Sequence, residues 1–244
     1  VNTYWVRFAH GQATHALAVE RSTQLFAAAR RAGVERVVHT SIANPSAASP
    51  LSYYCGKAAV EAALRASGLS HAILRPAVFF GGRDVLINNI AWLLRRLPVM
   101  GYPRGDYGIQ PIHVDDFATL AVEQVFSSTD ALLDAVGPEA FDYPELLRLV
   151  AGAMDRRVWI VAVPHLVVRL TAVILSAVVH DEVLTRDEIE GLSSNLLVSH
   201  GPPTGTTRLS EWLSSHHDGL GRRWANELGR HFRGLDRPVP RARA

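Results

Sequence analysis

Tyr53 and Lys57 stand four residues apart in a stretch, 53–66, that reads as a helix ending before Gly68. Side chains at i and i+4 project from one helix face, so the phenol and the ammonium can reach one small site. An ammonium beside a phenol favours the phenolate, and a tyrosine whose ordinary pKa is near ~10 becomes usable as an acid or base close to neutral pH. Composition marks the position: of 25 lysine and arginine residues, Lys57 is the one lysine. Ser41, with Thr40 beside it, ends a strand read over 36–41. Open parallel sheets build their sites at the carboxyl ends of strands, and a hydroxyl there can polarise a carbonyl oxygen. The competing structural reading is a surface tyrosine and a solvated lysine packed at helical spacing.

The elements that must hold these groups alternate. An amphipathic helix between Gly11 and Gly33 carries Leu17, Leu25, Phe26 and Ala29 and ends on Arg30 and Arg31. The strand 36–41 follows, then a loop with Pro45 and Pro50, the helix 53–66, a strand over 70–75 stopped by Pro76, and a helix over 84–97. Further on come a strand at 109–112, a helix opening at Asp115 or Asp116, and a strand at 132–136. Strands alternating with helices predict an α/β fold, a Rossmann-like parallel sheet flanked by helices. Beyond Tyr143 the pattern is mostly helical, with helices at 144–154, 165–179 and 185–198, another at 209–232 in two pieces, and a strand at 158–163. The expected division is therefore 1–140 for the sheet domain, 141–234 for a helical substrate or cap region, and 235–244 for a frayed tail.

With 48% hydrophobic and 20% charged residues the chain is globular, and a formal charge of +2 argues against nucleic acid as a partner. A single cysteine, Cys55, and the lack of a secretory pattern at residues 1–8 point to the cytoplasm. The longest apolar stretch, 158–179, is interrupted by Pro164, His165 and Arg169, which excludes membrane insertion and predicts a strand followed by a buried helix. Eleven histidines show no metal-ligand spacing, so no metal is expected. Arg104-Gly105-Asp106 reads as a turn, and Asn44-Pro45-Ser46 is disqualified as a glycan acceptor by its proline.

The run Tyr53-Tyr54-Cys55-Gly56-Lys57 follows His39-Thr40-Ser41 and precedes Ile73-Leu74-Arg75-Pro76 and Pro111-Ile112-His113-Val114-Asp115-Asp116. In order and spacing these segments resemble the extended or atypical short-chain dehydrogenase/reductases, the NAD(P)-dependent epimerase/dehydratase proteins, over residues 1 to about 140. NmrA-like regulators and the NAD(P)-binding accessory subunit of respiratory complex I are relatives in that group. A weaker likeness to an uncharacterised bacterial branch covers 184–192 and Trp212-Leu213.

The resemblance implies a catalytic trio of Ser41, Tyr53 and Lys57, with Lys57 also reaching the nicotinamide ribose. It implies NAD or NADP contacts from Asn2, Thr3 and Thr40, and from Arg75, Pro76, Ala77 and Val78 in the loop after a strand, with Phe79 next to them. Asp115 and Asp116 are read as a helix N-cap supporting the substrate region. The family's Gly-rich phosphate-binding turn has no counterpart, since Gly81-Gly82 and 101–108 lack its spacing and its strand-then-helix context. The sheet's first strands are thus expected to be missing. Three consequences follow: weak cofactor binding by these residues alone, no residue choosing NAD over NADP, and an exposed apolar sheet edge and face that a second copy or a protein partner would cover. The expected function is an NAD(P)-dependent oxidoreductase or epimerase/dehydratase acting on a small carbonyl or sugar-like substrate. The alternative is a non-catalytic NAD(P)-binding regulatory or assembly protein, or an inactive fragment of such an enzyme.

Overall fold

The computed structural model describes residues 1–82, 84–105, 107–183, 185, 190–191 and 194–231. Three parallel strands, β1 (Arg36–Thr40), β2 (Ser70–Pro76) and β7 (Ala131–Ala135), form the principal sheet in the order β1-β2-β7. Val38 lies beside Ala72, and Leu74 beside Leu133. Asn2 extends the sheet past β1 by a parallel bridge to His39, its N–H donating to the Val38 carbonyl at 2.7 Å.

Side chains alternate across these strands, so each face carries its own apolar set. On one face, α1 (His15–Arg31) and α2 (Ser52–Ala66) close over Phe26, Val37, Val60, Leu64 and Ile73. On the other, α4 (Val114–Phe126) covers Val38, Ala72, Leu74 and Ala135 with Phe117 and Ala121. The helix ends follow local chemistry. The Thr14 hydroxyl accepts from the Leu17 N–H to open α1, and the Asp84 carboxylate accepts from Ile87 and Asn88 to open α3 (Leu86–Leu94).

Strands β3 (Val78–Phe80) and β6 (Pro111–His113) pair in parallel just past the end of β2. A second parallel pair joins β4 (Val99–Pro103) to β9 (Trp159–Val163), and β5 (Gly108–Ile109) runs antiparallel to β8 (Phe141–Asp142). The largest core cluster combines Phe80, Ile87, Ile90, Leu94 and Ile109 with Leu146, Leu147 and Val150 of α5 (Tyr143–Ala153) and Leu209 and Leu213 of α7 (Leu209–His216). The later helices thus share a core with α3 and β3. The last described helix is α8 (Glu227–His231).

Several expectations need correction. The helix read over 165–179 is present as α6 (His165–Val179), but none of its residues is buried. Leu166, Leu170, Val173, Ile174 and Val178 are 56–68% exposed, because α6 leans on the rest of the molecule mainly through β4. The exposed apolar face expected on the principal sheet is covered by α1, α2 and α4, while Leu132 on its edge strand β7 is half exposed. The helix read over 185–198 lies partly outside the described residues, and its end is not helical: Leu197 forms a parallel bridge to Ile109 and accepts from the Gln110 N–H at 2.9 Å. The tail 235–244 lies outside the described residues.

Leu147→Ala, in the fully buried cluster, is expected to lower unfolding free energy by about 2–5 kcal/mol, whereas Leu170→Ala on α6 changes it by less than about 0.5 kcal/mol. Urea titration of the two variants checks this contrast.

Candidate functional site

Strands β1 and β2 end on the same side of the sheet, and α2 rises between them, so Thr40, Ser41, Pro76, Ala77 and Val78 meet Tyr53 and Lys57 at one cavity of about 920 Å³. Thr3 lies on its wall, whereas Asn2 and Arg75 do not. Asn2 instead reaches His39, its amide nitrogen 3.1 Å from Nδ1.

Lys57 is almost completely buried. Its ammonium donates to the Thr40 carbonyl at 2.9 Å and lies 4.7 Å from the centre of the Trp5 ring. Burial pushes Lys57 down to about 7, with Glu61 pulling the other way. Gly56 makes room for Trp5, since a Cβ there would come within 3.0 Å of the indole. Trp5 in turn stacks on His15 and meets Tyr53 edge-on at 5.8 Å, fixing the ring that faces the cavity.

Ser41 has a different partner from the one its position suggested. Its hydroxyl donates to Glu61 Oε1 at 2.6 Å, while Arg75 clamps the same carboxylate from Nε at 2.9 Å and from Nη2 at 2.6 Å. Burial pushes the Glu61 carboxyl up, but the hydrogen bonds from Arg75 and Ser41 and the charges of Arg75 and Arg65 outweigh it and hold the group below the usual carboxylate range. Arg75 therefore braces α2 against β2. His39, buried beside this group, is pushed down to about 3 by burial and by the Lys57 charge and is neutral.

Sequence reasoning passed over Glu61, although it lies one helical turn beyond Lys57 in the same helix. It also missed Trp5 and the far wall of the cavity, contributed by α3, β4, β9 and α6. No local pattern signals that wall, because it assembles from two stretches, 86–103 and 159–179, more than 50 residues apart in sequence. Asp115 and Asp116 are corrected as well. His113 occupies the cap position, accepting from the Asp115 N–H at 3.3 Å, while Asp116 accepts from the Thr206 and Thr207 N–H groups, both at 2.7 Å, and so fastens a distant loop. Two buried polar atoms of residues on the wall, Trp5 Nε1 and Thr40 Oγ1, have no hydrogen-bond partner among the described residues.

No family model matches the chain. It is 25% identical over 175 residues to the mitochondrial NADH-ubiquinone oxidoreductase 40 kDa subunit of Neurospora crassa, covering 70% of this chain and 46% of that protein. It is 26% identical over 119 residues to the mitochondrial NADH dehydrogenase [ubiquinone] 1 alpha subcomplex subunit 9 of Dictyostelium discoideum, covering 48% of this chain and 33% of that protein. The chain thus spans less than half the length of either curated relative. Among solved structures it resembles a nucleoside-diphosphate-sugar epimerase of Staphylococcus aureus, with 16% identity, a TM-score of 0.65, and coverage of 86% of this chain and 75% of that one. An NADPH-dependent quinone oxidoreductase of Escherichia coli, complexed with NADPH, matches at 20% identity and TM-score 0.63, covering 81% and 71%. The fold is that of the NAD(P)-dependent epimerases and reductases, as expected from the residues around Tyr53 and Lys57. The likenesses are thus, in fold, to NAD(P)-dependent epimerases and reductases and, in sequence, to two subunits of mitochondrial NADH dehydrogenase.

Glu61→Ala leaves the buried Ser41 hydroxyl without its acceptor and the half-buried Arg75 guanidinium without its carboxylate and is expected to cost at least about 2 kcal/mol of stability, measured by urea unfolding; Arg65→Ala, which removes only the 3.4 Å outer contact, costs less than about 1 kcal/mol. Lys57 supplies a pH test. Its folded pKa of about 7 lies below the unfolded value near ~10.4, so between these limits the unfolded chain holds a proton that the folded chain has released. Stability therefore rises with pH across this window, by at most about 1.4 kcal/mol per unit, and Lys57→Met removes that rise.

Proposed function

We propose that this chain carries the catalytic half of an NAD(P)-dependent oxidoreductase or epimerase/dehydratase, with Tyr53 as the acid/base at a substrate carbonyl. The observation that carries this reading is the convergence of Tyr53 and Lys57 on one cavity at the carboxyl ends of β1 and β2. Thr3, Thr40, Lys57 and the 76–78 segment line the cavity beside Tyr53 and would surround a nicotinamide riboside there. When bound, the reduced nicotinamide supplies a hydride to the carbonyl carbon and is left oxidised. The phenol of Tyr53 gives its proton to the carbonyl oxygen, completing the alcohol, and takes one back from solvent. Lys57 favours the phenolate that forms, in the fraction of molecules where it is charged. Ser41, its hydroxyl proton committed to Glu61, positions α2 rather than polarising the carbonyl.

That commitment of Ser41 also favours a second reading, a non-catalytic NAD(P)-binding protein that serves a protein partner, in keeping with the two curated relatives being complex I subunits. Titration with NADPH and turnover of phenanthrenequinone as a reporter carbonyl separate the two. Tyr53→Phe is expected to lower turnover by about 100-fold or more while NADPH affinity stays within twofold, and Lys57→Ala to weaken NADPH binding. Turnover unchanged in Tyr53→Phe removes Tyr53 from the reaction, and unaltered protein that binds NADPH without turnover overturns the enzyme reading in favour of the second.

A further inference from the structure

Resting on the reading of Tyr53 as the reacting end, we propose that the cavity takes an amphiphile, a carbonyl compound or its alcohol whose oxygen meets Tyr53 and whose long apolar chain lies between α3, β4, β9 and α6. Away from Tyr53 and Lys57 the wall is built from apolar side chains, with Leu86, Ile90 and Leu93 on one side and Met100, Val163 and Leu175 on the other. At about 920 Å³ the cavity is at the upper end of the ~300–1,000 Å³ usual for small-molecule sites, more than a nicotinamide riboside and a short polar carbonyl together fill.

Three polar groups on the same wall are occupied within the protein. Asn89 exchanges two hydrogen bonds with the Ala225 backbone at 2.8 and 3.1 Å. The Asp181 carboxylate accepts from Trp224 Nε1 and from the Glu227 and Leu228 N–H groups, each at 2.9 Å. Thr171 donates to the Val167 carbonyl of its own helix. Sugar hydroxyls would find few partners there. A nucleoside diphosphate fits worse, because the only cations among the described lining residues are Lys57, given to the Thr40 carbonyl, and Arg7, paired with Glu227 at 3.3 Å. Against these two stand three carboxylates, Asp181, Glu182 and Glu227. Wall charge therefore repels a diphosphate, whereas an apolar chain loses nothing by it.

The wall formed by α6 adds a second argument. Residues Val168, Thr171 and Leu175 face the cavity, while Leu166, Leu170 and Val173 on the same helix are exposed and do not line it. An apolar chain can thus pass from the outer surface of α6 into the cavity without crossing a charged rim on that helix other than Arg169.

Trp5 and Trp224 line the cavity, so intrinsic fluorescence can follow titrations of the protein with 1-hexanol, 1-octanol and 1-decanol. Affinity is expected to rise about fourfold per added methylene, the ratio that corresponds to ~0.8 kcal/mol per buried CH₂, and UDP-glucose should not displace 1-decanol. Leu175→Asp is expected to weaken 1-decanol binding at least tenfold, and Leu170→Asp by less than twofold. An affinity independent of chain length, displacement by UDP-glucose, or equal losses in the two variants, as in adsorption to the outer surface, overturns the proposal. The chain-length series on the unaltered protein decides the matter even if Leu175→Asp fails to fold. A flat series in protein that binds NADPH overturns the amphiphile and leaves the oxidoreductase reading standing; a steep series in protein that binds no NADPH does the reverse.

Discussion

The carboxylate of Glu61 is the point through which the site is held together. It receives Ser41 from the end of β1 and both arms of Arg75 from the end of β2, and it belongs to α2, the helix that presents Tyr53 and Lys57. One side chain thus fixes the distance between a helix and the carboxyl ends of two strands. A charge so deeply buried is tolerated because each oxygen is hydrogen-bonded and a guanidinium matches it in planar, bidentate geometry.

Lys57 is buried on different terms. Among the described residues no carboxylate contacts its ammonium; a backbone carbonyl and the face of Trp5 take its place. That surround compensates a positive charge only in part, which is why its pKa falls toward neutrality. A lysine poised near pH 7 can be present in both forms under working conditions, so its influence on the neighbouring phenol is itself pH-dependent. Neutral His39 beneath the same face adds no opposing charge.

Exposure along α6 and assembly of the cavity have a common cause. The helix packs against β4 and the cavity rather than against a second layer, so its apolar residues divide between an inner wall and the outer surface. The large core formed by α3, α5 and α7 provides the rigid side of that cavity, and α6 the thin side.

Local signals were enough for the parallel strands, for α1 and α2, and for the placing of Tyr53, Lys57 and Ser41 near one another. Strand and helix periods, glycine and proline punctuation and a four-residue spacing all act within a few residues and survive in a single sequence. Three things were decided only in three dimensions. Burial of α6 could not be read from its apolar composition, because a helix with apolar residues on every face has the same pattern whether a layer covers it or not. The roles of Ser41 and Arg75 turned on Glu61, whose partners come from two separate strands and become neighbours only when β1 and β2 pair. The apolar wall opposite Tyr53, finally, joins segments near residues 90, 100, 163 and 175, brought together by the β4–β9 pairing. Sequence by itself determined which chemistry could occur at Tyr53 and Lys57, since that depends on side-chain types and helical spacing. Tertiary structure decided which of the nearby groups remain available to a ligand, since that depends on where each hydrogen bond and each charge finds its partner.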